Sequence, residues 1–322
     1  MIRKRTALAI LLPLILSLCA CGWGTAESIS DDEDNVRVVA YEDRVMFVFL
    51  NYFSDEEYLA NDANALLLAL PETLRKYMMI SPGRIAFEVE ELKSLVADER
   101  EAVRYVQEHL DPAIRFVSVY DAMDRYPGSL NDIFFRLDHH WTQLGAYYAA
   151  EAFMDAAGVP YRALDEYTKL EGTPFSGYMY LLSGDETLSE FPDPLTYYLL
   201  PGNEYKKAYV YYPNDATGGL ELKIHRLLDP AREGYALFLG DFGFSHAIIP
   251  GNPDSGRALL LIGGSSTYSI APWFADNFKT VVLIETRFYE GGAAGLKELI
   301  AKYGITDAVL CVSFSTRILE FE

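Results

Sequence analysis

Apolar and polar positions change period along this chain, and the changes mark out alternating strands and helices. Strand-length apolar runs occupy residues 45–50, 77–82, 114–120, 257–262, 281–284 and 307–314. Between them lie stretches with near-helical spacing: 61–76, 88–109, 142–157, a segment after 266 through Trp273 and Phe278, and 295–303. In 142–157, Leu144, Tyr147, Tyr148, Phe153 and Met154 supply one buried face, Thr142 a cap, and Gly158 with Pro160 a stop. In 88–109 the charges of Glu91, Lys93, Glu99, Arg100 and Arg104 read as a solvated face. Strand–helix alternation in this order predicts an α/β fold, a parallel sheet with helices on both faces. Residues 161–229 break the rhythm. They are rich in Gly, Pro and Tyr and read as an insertion of loops and small strands, such as 208–212 and 220–224, within one domain spanning 36–322.

The first twenty residues do not belong to that pattern. Arg3, Lys4 and Arg5 precede an apolar run, 7–18, that is short for a membrane span and reads as a signal peptide. Leu18-Cys19-Ala20-Cys21 resembles a bacterial lipobox, so cleavage after Ala20 leaves Cys21 to carry a lipid; cleavage near Ala26 with ordinary secretion is the alternative. Either way the protein is expected outside the cytoplasm, at the bacterial cell surface. Residues 21–35, with Asp31-Asp32-Glu33-Asp34, read as an acidic tether. Removing 1–20 loses three cations and takes the net charge from −20 to −23. That charge disfavours nucleic acid and any direct grip on anionic lipid. Of three cysteines only Cys311 remains in the body, which excludes a disulfide framework and a Cys-type zinc site.

Two short stretches carry chemistry. Arg136-Leu137-Asp138-His139-His140-Trp141 puts a carboxylate, two imidazoles and an indole together in a chain with only five histidines. His140 falls just before a helix N-terminus, whose partial positive charge disfavours imidazolium and favours a neutral base. Asp138 can accept from the ring's other nitrogen and fix its tautomer. The plain alternative is a capping Asp beside a core Trp. A metal site on His139 and His140 is less attractive, because adjacent side chains usually point apart and no third ligand has telling spacing. The second stretch is an apolar strand running into Gly263-Gly264-Ser265-Ser266. A phosphate cradle lacks its Walker Lys and its G-x-G-x-x-G pattern. A structural turn and a nucleophilic Ser both remain open.

Asp138-His139-His140-Trp141 resembles the motif that names the DHHW family of bacterial extracytoplasmic proteins, and its D-x-H-W core that of the SGNH-hydrolase-like alginate O-acetyltransferases. The resemblance implies a triad of Ser265, His140 and Asp138 in an SGNH-like three-layer fold of circularly permuted order. Gly264 stands where the family reads Asp in Gly-Asp-Ser. Glu285-Thr286-Arg287-Phe288-Tyr289 resembles the family's Asp-Leu-Arg-Tyr-Tyr, while Phe175-Ser176-Gly177-Tyr178 and Phe191-Pro192-Asp193 loosely resemble its loop pattern. Around the triad, Gly264, Ser266, Arg287, Trp141 and His139 are expected as substrate or oxyanion contacts. The implied activity is O-acyl (acetyl) transfer or esterase action on an extracellular polysaccharide, with no metal or cofactor. A membrane acyl-transfer partner is implied by analogy alone. A surface glycan-binding or scaffold protein that keeps the fold without turnover is the alternative, and Gly264 is the residue that speaks for it.

Overall fold

A computed structural model of the chain describes residues 36–318, apart from 42, 50–54, 95, 184–185, 215, 241, 315 and 317. The segments read as signal peptide and tether, and Cys21 with them, lie outside the described residues.

The described residues form twelve strands. β1 (Val36–Tyr41) and β2 (Arg44–Phe49) make an antiparallel pair, followed by β3 (Arg75–Ile80) and β4 (Ile114–Val117). In the 161–229 segment, β5 (Thr168–Glu171) pairs with β6 (Thr196–Leu199), and β7 (Lys207–Asn214) with β8 (Gly219–Arg226). β9 (His246–Pro250), β10 (Leu259–Gly263), β11 (Thr280–Glu285) and β12 (Asp307–Val312) complete the set. The central sheet has eight strands in the order β4-β3-β12-β10-β11-β9-β7-β8. From β4 to β11 all neighbours are parallel; β9, β7 and β8 run antiparallel to theirs, so the sheet is mixed where an all-parallel one is expected. β12, the last strand in sequence order, lies between β3 and β10.

Strand period divides the core in two. Leu259, Leu261, Val281, Leu283, Val309 and Tyr77 point to one face, beneath the helices Gln143–Ala157 and Ser266–Ala275. Leu260, Ile262, Val282, Ile284, Leu310 and Met78 point to the other, beneath Asp55–Ala69, Glu99–His109 and Gly292–Tyr303. Near-continuous apolar strands are what a sheet covered on both faces requires. The 161–229 segment shares the first core through Tyr167, Leu195, Tyr197 and Val210.

Several boundaries depart from the sequence reading. The helix expected over 61–76 is Asp55–Ala69, ended ahead of Pro71, and β3 takes Arg75 and Lys76. The helix expected over 88–109 is broken, because Asp98 caps a new one by accepting from the Arg100 amide. The strand expected over 114–120 stops at Val117, where Ser118 caps the helix Val119–Asp124. The helix after Thr142 forms as expected: Thr142 Oγ1 accepts from the Gly145 amide, and Gly158 ends it at φ 63°.

Candidate active site

The Gly263-Gly264-Ser265 turn leaves the C-terminal end of β10, the sheet edge where open α/β folds place their sites. Gly263 is obligatory: a Cβ there would lie 2.0 Å from the Cys311 carbonyl oxygen on β12. Ser265 precedes the helix Ser266–Ala275 and keeps part of its surface exposed. A helix start carries N–H groups without intrahelical partners, so the nucleophile position lies beside ready-made oxyanion donors.

The 138–141 loop meets this turn across 125 residues of sequence, and His140 Nε2 lies 2.8 Å from Ser265 Oγ. His140 Nδ1 lies 2.5 Å from Asp138 Oδ1, which also accepts from the His140 amide at 3.0 Å. Burial alone would raise the Asp138 carboxyl pKa. The charge and hydrogen bond of His140, the nearby His139 and the Tyr178 amide outweigh it and hold the group ionised, well below the usual carboxylate range. An ionised Asp138 accepts the Nδ1 proton, which leaves Nε2 to accept from the Ser265 hydroxyl.

A stack of rings sets the His140 plane. Tyr235 lies parallel to it with centroids 3.9 Å apart at 10°, and His139 packs on it at 3.9 Å and 37°. The neighbouring imidazoles therefore face each other, against the expectation that they point apart. His139 lies exposed at the rim of the site, its Nδ1 3.9 Å from Asp138 Oδ1; its partial burial, then the proximity of His140, lowers its pKa, with Asp138 opposing and Arg287 adding to the shift. Asp138, His139 and His140 are also the residues whose ligand atoms, among those described, fall within 4.8 Å of one another. Both His140 nitrogens are already committed to Asp138 and Ser265, so a metal there would have to displace the triad contacts.

Trp141, expected as a substrate contact, is buried beneath the site. It is 1% exposed, and its indole N–H reaches Ser269 Oγ at 2.9 Å and the Ser266 carbonyl at 3.1 Å. The residue after the base is thereby fastened to the residue after the nucleophile. Tyr235 Oη makes the same kind of tie, 2.9 Å from Ser269 Oγ and 3.1 Å from the Ser265 carbonyl. Arg287, read as an oxyanion or anionic-sugar contact, makes a two-pronged pair with the buried Glu285 at 3.0 and 2.9 Å, and Glu285 also accepts from Tyr268 Oη. Gly264 leaves open the space of a side chain, whose Cβ would meet only Thr316, at 3.4 Å, an ordinary contact.

The two loop fragments of the 161–229 segment close the site from behind. The Tyr178 amide donates to Asp138 Oδ2 at 3.0 Å. Gly177 permits the approach: a Cβ there would sit 2.4 Å from Asp138 Cβ and Oδ2. Asp193, bridged to Phe175, accepts from the Arg136 and Leu137 amides at 3.0 and 2.7 Å and so fixes the backbone entering Asp138. Tyr235, Ser269, Gly177 and Asp193 were not assigned roles from sequence. The fragments containing Gly177 and Asp193 were visible as loop patterns, whereas Tyr235 and Ser269 left no signal.

The family described as DHHW protein matches residues 23–284. The crystal structure of a DHHW family protein from Eubacterium siraeum is similar with a TM-score of 0.72 and 25% identity, covering 87% of this chain and 91% of that one. Bacillus cereus PatB1, in a structure with a sulfonyl adduct, is similar with a TM-score of 0.68 and 16% identity, covering 87% of this chain and 95% of that one. No curated protein matches the chain.

Proposed function

The chain belongs to the DHHW family, and from that membership and the contact between Ser265 and His140 we propose that it is a serine-dependent O-acyl (acetyl) transferase or esterase acting on an extracellular polysaccharide. The 2.8 Å approach of Ser265 Oγ to His140 Nε2 carries the reading. Ser265 Oγ attacks the acyl carbonyl as His140 takes its proton, and Asp138 stabilises the imidazolium that results. The amides at the start of the Ser266–Ala275 helix stabilise the oxyanion. His140 then protonates the departing oxygen, leaving an acyl-serine. A sugar hydroxyl or water, deprotonated by His140, attacks that ester and releases Ser265. The half-exposed ring of Tyr178 and the ring of Phe47 border His139, a setting suited to sugar stacking.

Gly264 is the residue that favours the binding-only alternative, but its missing side chain leaves Ser265, His140 and Asp138 in mutual contact. The proposal includes a lipid on Cys21, a cell-surface location and an acyl-carrying membrane partner. Among the described residues no helix is long and apolar enough to cross a membrane. The test is turnover of an aryl acetate with and without a glycan acceptor, in Ser265→Ala, His140→Ala, His139→Ala and Ser266→Ala. Losing the nucleophile or base lowers kcat by several orders of magnitude, and the other two variants cost far less. Equal losses in all four, or no turnover by the wild type, defeats the assignment. A sulfonyl fluoride should modify Ser265 in the wild type and leave Ser265→Ala unlabelled.

A further inference from the structure

The central sheet ends at β8, and among the described residues no strand lies beyond it. Such an edge presents unpaired N–H and C=O groups, and soluble proteins usually cover or blunt it. β8 instead runs for eight residues, fully paired to β7 on one side, with Leu220, Leu222 and Ile224 exposed at 52%, 46% and 55%. Strand period puts these three on one face, continuous with Tyr209 and Tyr211 of β7, and puts Glu221 and Lys223 on the other.

The order of residues along β8 is self-complementary about Leu222. When the strand is laid antiparallel against a copy of itself, Leu222 faces the partner's Leu222 and Leu220 faces the partner's Ile224. Glu221 then faces the partner's Lys223, and Lys223 the partner's Glu221. Within 220–224 every apolar residue meets an apolar one and each of the two charges meets its opposite, which is the condition for an isologous two-fold contact. A slip of one residue would set Leu222 against a charged residue, so the pattern also selects the register.

We infer that β8 is a dimerisation edge, pairing antiparallel with β8 of a second copy of this chain so that two eight-stranded sheets join into one. The acidic bodies repel at low ionic strength, so association is measured at about 0.15 M salt, where charges are screened within about 8 Å.

The experiment is sedimentation equilibrium of the full chain, in a mild detergent that keeps any lipidated form dispersed. The variants are Glu221→Lys, Lys223→Glu, their combination and Leu222→Arg. These side chains are exposed, so the variants should fold, and the melting temperature checks that they do. Wild type is expected to dimerise. Each single charge reversal opposes like charges twice across the two-fold and should weaken the dimer about tenfold or more. The combined reversal should restore it, and Leu222→Arg should abolish it. Amide exchange at 220–224 should slow as wild-type concentration rises and stay fast in Leu222→Arg. A wild type that is monomeric at millimolar concentration, or a dimer indifferent to all four variants, overturns the inference; in either case the edge is left for a partner other than this chain. A combined reversal no better than the single ones overturns the register.

Discussion

Replacing Gly177 by Ala tests whether the loop behind Asp138 holds the triad in working geometry. The added Cβ would lie 2.4 Å from Asp138 Cβ and Oδ2, whereas tight Cβ contacts begin at 3.0–3.4 Å. The deficit is about 0.6–1 Å, and either the loop or the carboxylate must give. If the loop moves, Asp138 loses the Tyr178 amide; if the carboxylate moves, it loses its place against His140 Nδ1. A misplacement of about 1 Å typically costs about a hundredfold in rate, while an orienting Asp that fails outright costs about 10⁴-fold. Gly177→Ala should therefore lower kcat for an aryl acetate by about a hundredfold, with KM little changed, in a protein that still carries Ser265 and His140. The discriminating assay is a double-mutant cycle with Asp138→Asn. Because both changes act through the same carboxylate, the double variant should be about as slow as Asp138→Asn alone. Additive losses, or Gly177→Ala within about threefold of wild type, would refute the reasoning; a collapse in melting temperature would shift the effect to stability.

Asp307, buried between Arg75 and Arg257, gives a pH prediction. Burial would raise its pKa, but hydrogen bonds from Arg75, Arg257 and Thr306 outweigh that and lower it. A depressed folded-state value means that the stabilisation is fully present above the unfolded value near 3.9 and is lost as pH falls through the folded one. Asp307→Asn should cost about 2–3 kcal/mol at pH 7, and the melting-temperature gap to wild type should narrow below about pH 4. Fatty-acid labelling in a bacterial host should depend on Cys21; label persisting at wild-type level in Cys21→Ala removes the anchor from the reading.

The contact of Ser265, His140 and Asp138 was legible because its residues are written in two contiguous clusters, Asp138-His139-His140 and Gly264-Ser265. Each was recognisable by residue type and by its place beside a strand or helix end, and the parallel strands between β4 and β11 bring both to one edge. What supports the triad was not legible. Tyr235 stacks on His140 from a short irregular segment, and Asp193 grips the 136–137 backbone from another loop. Neither lies in a stretch with a period, and their partners are set by tertiary placement alone. Trp141 shows the opposite difficulty: its position in the motif suggested contact with substrate, yet its indole is consumed in tying two loops together. The mixed character of the sheet is hidden in the sequence for a related reason. The apolar pattern of 208–212 announces a strand, but nothing local says that it extends the main sheet.

The position of β12 bears on when the sheet can be completed. The strand pairs with β3 on one side and β10 on the other, in the middle of the sheet. The β4–β3 pair and the β10–β11 pair are therefore joined through a strand made after both. A chain emerging N-terminus first can form the β1–β2 pair and the helix after Thr142, but the strand that joins β3 to β10 is missing until residues 307–312 arrive. Pairings this distant in sequence also slow folding, since each closes a long loop before any contact rewards it. The last-made strand is thus the one that closes the sheet: a chain short of residues 307–312 holds Asp138, His140 and Ser265 but not the finished sheet edge that carries the Gly263-Gly264-Ser265 turn.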